Sequence, residues 1–269
     1  MLEQPINAPS RSWSTTPYNT DRGIGTRAHI GMVVYDNDQT LSHEARAILA
    51  IPGVALYESR ILSTDDRSQP LSSDNLEDSF GEGLDVAVRQ INATRPSDVV
   101  ALGCTSAAMT IGTEELERRV HCTYPEARVT DPYTGILSAL RVLGSTRVGF
   151  VSPYPRDVAE SMIEGIEAVG VNVPAATVFH NDAGFARDDA PFISPAGIVM
   201  AARKVATADI DTIVISCTQM RASGVITDIE QETGKAVITS NQAMCWHALR
   251  LAGCRDVLNG WGRLFQANL

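Results

Sequence analysis

The chain has little with which to hold a nucleic acid, cross a membrane or build a metal site. Lys and Arg number 22 against 32 Asp and Glu, a net charge of -10, and no basic cluster breaks that balance. A phosphate-backbone partner needs clustered cations, so no nucleic acid is expected as a ligand. No apolar run approaches the roughly 18 residues that cross a bilayer, and Met1 to Arg27 lacks the apolar core of about 7 to 15 residues that a secretory leader carries behind basic residues. A cytoplasmic protein with no membrane partner is the expectation. Cysteines number only five, without a CxxC or a His/Cys pair at metal-ligand spacing. That excludes a disulfide scaffold and leaves the thiols free for packing or chemistry in a reducing compartment.

What is present is an ordinary globular balance, 44% hydrophobic and 20% charged over 269 residues, enough for two modest domains or one large one. One stretch occurs twice. Asp98-Val99-Val100-Ala101-Leu102-Gly103-Cys104-Thr105 returns 113 residues later as Asp211-Thr212-Ile213-Val214-Ile215-Ser216-Cys217-Thr218. An acid, a run of small and β-branched apolar residues and a closing Cys-Thr predict a buried parallel strand that delivers a thiol to its C-terminal edge. In open α/β sheets that edge is where ligands bind. A second pair supports a duplication: Arg147 to Val151 resembles His29 to Val33, and Gly31 to Gly149 is an offset of 118 residues.

Taken in order, residues 1–27 read as a polar arm that Trp13 and Tyr18 anchor. His29 to Tyr35 predicts a first strand, Asp36 to Thr40 a polar turn, and Glu44 to Ala50 a helix. Val54 to Ile61 is the next strand, Ser63 to Asp78 a polar loop, and Gly83 to Ala93 an amphipathic helix before the first cysteine strand. A surface helix is expected from Thr113 to Val120, a short strand from Ala127 to Thr130, and a helix opened by Asp131-Pro132 and closed at Gly144. The second half repeats the pattern. It has a strand over Arg147 to Val151, the turn Ser152-Pro153-Tyr154-Pro155, a helix to Val169, and a strand around Ala175 to His180. Next come a loop over Asn181 to Phe192, a helix from Ser194-Pro195 to Ala206, and the second cysteine strand. A helix over Val225 to Glu232, a strand over Ala236 to Thr239 and a helix over Asn241 to Ala252 end the chain. The fold class expected is α/β, two pseudo-symmetric halves with parallel sheets and the active site in the cleft between them. Residues 28–130 with about 240–269 form the first half, and residues 131–239 the second.

A lone cysteine in a strand is ordinarily core. Cys122, Cys245 and Cys254 are read that way, whereas Cys104 and Cys217 occupy equivalent strand exits, each before a threonine. Nearby N–H groups lower a thiol pKa, which suits one cysteine to act as base or nucleophile and the other to donate a proton. Thr105, Ser106 and Thr218 bring hydroxyls and amides to the same two strand exits, where they are candidates for hydrogen-bonding a developing negative charge. The histidines lack acidic partners at suggestive spacing and are read as structural or surface groups.

The opening strand and polar turn, Gly-Cys-Thr-Ser, Ser-Pro-Tyr and Ser-Cys-Thr together resemble the aspartate/glutamate racemase superfamily. The similarity is strongest to its branch of maleate cis-trans isomerases, arylmalonate decarboxylases and ectoine-utilisation racemase-like proteins, and spans about His29 to Ala252. The resemblance implies flavodoxin-like halves, no cofactor, a homodimer or homotetramer, and a small carboxylate substrate held between two cysteines. It implies Cys104 as first-half nucleophile or base, Cys217 as second-half acid, Tyr154 as a substrate-contacting tyrosine and Asn181 as a further contact. Arylmalonate decarboxylases, as that branch is described, keep only the second cysteine, so Cys104 speaks for isomerase or racemase chemistry. One departure matters: maleate isomerases read Pro-Ser-Ser-Asn-Thr-Thr in the first turn, and this chain has Asp38 in the asparagine's place. An ionised Asp38 repels a carboxylate but accepts from an ammonium or amide, so an amino-acid-like or N-acylated substrate stands beside maleate.

Overall fold

The computed structural model describes residues 11–62, 83–92, 94–179 and 187–269. Two four-stranded sheets carry the chain. The first contains β1 (Ala28–Tyr35), β2 (Val54–Ile61), β3 (Val99–Gly103) and β4 (Arg128–Thr130), in the order β2-β1-β3-β4. The second contains β5 (Arg147–Ser152), β6 (Asn172–Val178), β7 (Thr212–Ile215) and β8 (Ala236–Thr239), in the order β6-β5-β7-β8. All pairings are parallel, and the two orders are the same path repeated. This is the duplicated, doubly wound α/β fold that the sequence predicts.

The apolar pattern explains the placement of the strands. Every residue of β1, β3 and β7 is buried, as a strand covered on both faces requires. In β6 exposed residues alternate with half-buried ones, which suits its position at the sheet edge. The helices are α1 (Leu41–Ile48), α2 (Gly83–Gln90), α3 (Thr105–Ile111), α4 (Thr113–His121), α5 (Pro132–Leu143), α6 (Arg156–Ala168), α7 (Pro195–Val205), α8 (Ile226–Thr233) and α9 (Ser240–Leu251). The Asp131 carboxylate caps α5 by accepting from the amides of Tyr133 and Thr134 at 2.7 and 2.8 Å, and Gly144 ends the helix with φ of +66°.

Four local readings change, the first being Cys122, which is exposed at the end of α4 and not in the core. The stretch after Cys104 is itself a helix, α3, because Ala107 and Ala108 favour one and Gly112, with φ of +81°, ends it before α4 begins. β6 starts at Asn172, earlier than Ala175, because edge pairing with β5 begins at Arg147. Trp13 and Tyr18 do not anchor the arm on its own chain, since both stay more than four-fifths exposed; Arg22 ties it down through the Asp98 carboxylate at 2.7 Å. The polar loop expected over Ser63 to Asp78 lies outside the described residues.

Helix α9 follows β8 but packs on α5, on α1 and against β3 and β4 of the first sheet. Its crossing with α5 depends on Gly135, where a Cβ would lie 2.8 Å from the backbone of Ala243. Among the described residues no helix is long and apolar enough to cross a membrane.

Candidate active site

Register brings the chemistry to one place. Val34 pairs with Gly103 and Val151 with Ile215, so both cysteines leave their sheets beside the turns that follow β1 and β5. Gly103 is needed at its exit, because a Cβ there would meet Leu41 of α1 and the Val33 carbonyl. The turn after β1 and the loop after Cys217, from opposite halves, then meet directly. The Thr40 hydroxyl donates to the Gln219 carbonyl at 2.7 Å, and the Gln219 side-chain amide donates to Asn37 Oδ1 at 3.4 Å.

Cys104 is the N-cap residue of α3, partly open to solvent, with its Sγ 3.6 Å from the Ser106 hydroxyl. Burial pushes its thiol above the ordinary value, the amides of Ala107 and Ser106 and the Ser106 hydroxyl pull it back, and the nearby Asp38 adds to the rise. Cys217 is buried, and no helix begins at it: the chain turns through Met220, whose amide reaches the Cys217 carbonyl at 3.3 Å, into a 3-10 turn over Ser223–Val225. Burial is the main reason its thiol is pushed up to about 12, against the opposing effect of the Tyr154 hydroxyl and the Gln219 amide. Tyr154 itself is held far above the ordinary phenol value, first by burial and then by the two thiols, with Ser106 opposing. Its hydroxyl therefore lies among Cys217, Ser106 and Cys104.

Asp38 is 2% exposed. Its Oδ1 accepts from the amides of Thr40 and Leu41 at 2.8 and 2.7 Å, while Oδ2 has no hydrogen-bond partner among the described residues. Burial raises its pKa; the two amides, the neighbouring Thr218 hydroxyl and the Arg60 charge oppose the rise. Arg60 Nη1 is held by the carbonyls of Tyr35 and Asp38 at 2.9 and 3.0 Å, which fixes a cation behind the turn.

Of the residues singled out in the sequence, the structure brings together Cys104, Ser106, Tyr154, Cys217, Asp38 and Thr218. The Thr105 hydroxyl instead turns inward and donates to the Ser240 hydroxyl at 2.9 Å. Asn181 lies outside the described residues. His247 is structural: its ring bonds the Thr130 hydroxyl at 2.7 Å, and burial lowers it to about 4. Arg221 donates to the Ile193 carbonyl at 3.0 Å.

Sequence reasoning missed an inner polar layer. The Glu44 carboxylate, from α1, accepts from the Ser223 amide at 3.1 Å, the Ser223 hydroxyl at 2.6 Å and Asn241 Nδ2 at 2.8 Å. Asn241 also donates to the Thr218 carbonyl at 2.8 Å. The available signal was Thr239-Ser240-Asn241-Gln242, a capping box that places two further polar residues at the start of an otherwise buried helix. No cluster of three or more His, Cys, Asp or Glu suited to a metal occurs among the described residues.

Parallel α/β halves presenting thiols at adjoining strand ends define a two-cysteine α/β protein. The sequence profile of the family described as arylmalonate decarboxylase matches residues 76–265, and the chain belongs to that family. A maleate isomerase of Nocardia farcinica is 28% identical over 250 residues, covering 88% of this chain and 95% of its own length. An arylmalonate decarboxylase of Bordetella bronchiseptica is 31% identical over 139 residues, 49% of this chain and 55% of its own length. Among solved structures, a Nocardia farcinica maleate cis-trans isomerase variant with one cysteine changed to serine and a covalently bound succinylcysteine intermediate superimposes with a TM-score of 0.77. It shares 23% identity, over 88% of this chain and 98% of that one.

Proposed function

We propose that the chain is a cofactor-independent isomerase of a small carboxylic acid, with Cys104 as nucleophile or base and Cys217 as proton donor. The observation that carries this reading is the inequality of the thiols. Cys104 meets solvent and the first amides of α3, whereas Cys217 is buried and held up to about 12. The more easily ionised thiol suits attack, and the other stays protonated until a carbanion forms beside it.

With a maleate-like diacid, Cys104 loses its proton to solvent and its thiolate adds to the double bond. The displaced electron pair goes to the neighbouring carbon and its carboxylate, and Cys217 protonates that carbon. Rotation about the new single bond, return of the proton to Cys217 and expulsion of Cys104 give the trans acid. The succinylcysteine adduct of the Nocardia relative is the analogous species. With an amino-acid-like substrate, Cys104 removes the α proton and Cys217 protonates the opposite face. Ser106, Tyr154 and Thr218 supply hydrogen bonds to the developing charge.

Asp38 bears on the choice between the two. Its buried, unpartnered Oδ2 accepts from an N–H when ionised and donates to a carboxylate when protonated, the form that its burial favours, so both substrate types stand. The test is NMR in deuterated water with maleate, aspartate, glutamate, N-acylated amino acids and an arylmalonate. Cis-trans conversion or α-deuteration is the expected result. Carbon dioxide release from the arylmalonate, without either, would replace the isomerase reading by a decarboxylase.

A further inference from the structure

The two cysteine loops belong to different halves, yet one atom is bonded to both. Ser240 Oγ accepts from the Thr105 hydroxyl at 2.9 Å, next to Cys104, and from the amide of Cys217 itself at 3.0 Å. Ser240 is fully buried at the first residue of α9, directly after β8. A serine hydroxyl has two lone pairs, and both are occupied here, one by each loop. The next residue continues the tie, since Asn241 Nδ2 donates to the Thr218 carbonyl and to Glu44 of α1.

We infer that Ser240 is a positioning residue that sets the separation of the two thiols by serving as the shared acceptor of the Cys104 and Cys217 loops. The Cys217 amide, committed to Ser240, is unavailable to a substrate, so its function is to fix where the thiol stands. The Thr105 hydroxyl is committed in the same way on the other side. A reaction in which one cysteine attacks and the other protonates the adjacent carbon needs both sulfurs at a fixed distance, and displacement of about 1 Å is enough to cost roughly a hundredfold in rate. This inference rests on the two-cysteine reading for its catalytic consequence, but the thiol geometry is testable without it.

The experiment compares wild type, Ser240→Ala, Thr105→Val and the double variant by two measurements. The first is cross-linking of Cys104 to Cys217 by dibromobimane, relative to single alkylation of Cys104 by iodoacetamide, in a background with Cys122, Cys245 and Cys254 changed to Ala. The expected result is a cross-linking ratio at least about tenfold lower in Ser240→Ala, with Cys104 alkylation itself little changed. The second is turnover of whichever panel substrate the wild type accepts: kcat falls roughly 10- to 100-fold while KM moves less than about threefold. The double variant is expected to be no worse than Ser240→Ala, because Thr105 acts through Ser240. An unchanged cross-linking ratio, or strictly additive losses in the cycle, overturns the inference. If Ser240→Ala does not fold, Thr105→Val, which removes one arm of the tie, must lower the ratio by itself or the inference fails. A wild type inactive on every substrate defeats the functional reading and leaves the cross-linking result to decide this one.

Discussion

The two halves repeat one strand order and differ at the strand ends that carry the two cysteines. After β3 the chain enters α3, so Cys104 caps a helix and faces its first amides. After β7 it enters an irregular turn, and Cys217 meets the Tyr154 hydroxyl and the Gln219 amide within a buried shell. Duplicated strands thus deliver identical side chains to non-identical electrostatics. A symmetric pair of thiols would have no preferred direction of proton flow; on the proposed mechanism the helix after β3 and the irregular turn after β7 supply one.

The largest test of that difference is removal of either cysteine. Cys104→Ala is expected to abolish turnover, by at least about 10⁴-fold, as loss of a nucleophile does. Cys217→Ser is expected to lose about 10²- to 10⁴-fold, the range for a general acid. With an unsaturated substrate, intact-mass measurement of Cys217→Ser should still find an adduct on Cys104. An adduct on Cys217 in the Cys104→Ser protein instead would reverse the roles.

Alkylation by iodoacetamide against pH reads the same inequality without substrate. The thiolate is the reactive form, so the group with the lower pKa reacts at lower pH. At about pH 9, Cys104 should react more than about tenfold faster than Cys217, whose reactivity should still be climbing towards its pKa of about 12. Equal rates would remove the asymmetry.

Tyr154→Phe is expected to act chiefly on Cys217. The Tyr154 hydroxyl lowers the Cys217 pKa, so its loss should raise that pKa further, slow protonation by about tenfold and leave Cys104 alkylation unchanged. A matching change at Cys104 would mean that the hydroxyl serves both sulfurs.

The smallest effect concerns Asp38. Burial raises its folded pKa above the unfolded value near 3.8, so between those values the folded state binds more protons and stability falls as pH rises. The protonated-state advantage is complete below about pH 3.8 and gone above the folded pKa; Glu44 and Asp131 are raised in the same sense. Urea unfolding of Asp38→Asn across roughly pH 3 to 8 should show a shallower decline than wild type. A steeper decline would mean that Asp38 is held ionised by its two amides.

Much of this was legible in the sequence because parallel strands buried on both faces are written as uninterrupted apolar runs. Val99 to Leu102 and Thr212 to Ile215 announce themselves, and Asp131-Pro132 marks a helix start to the residue. The facing cysteines followed from the repeat. Helix α3 was hidden because it is only seven residues long, too short to establish a helical period. Ser240 and Glu44 were hidden for a different reason: their partners lie 135 and 179 residues away, and no local pattern records which buried polar groups meet. Only the fold pairs them.

The path of α9 bears on how the molecule comes into being. Strands β1 to β4 leave the ribosome first, yet the helix that covers β3 and β4 is not made until the second sheet is complete. The second sheet has all its strands before the first has its last cover. Ser240, at the first residue of that helix, is the residue that bonds both cysteine loops. The tie between the two cysteine loops is therefore made late in synthesis, and a nascent chain stopped before residue 240 carries both cysteines without the atom that joins their loops.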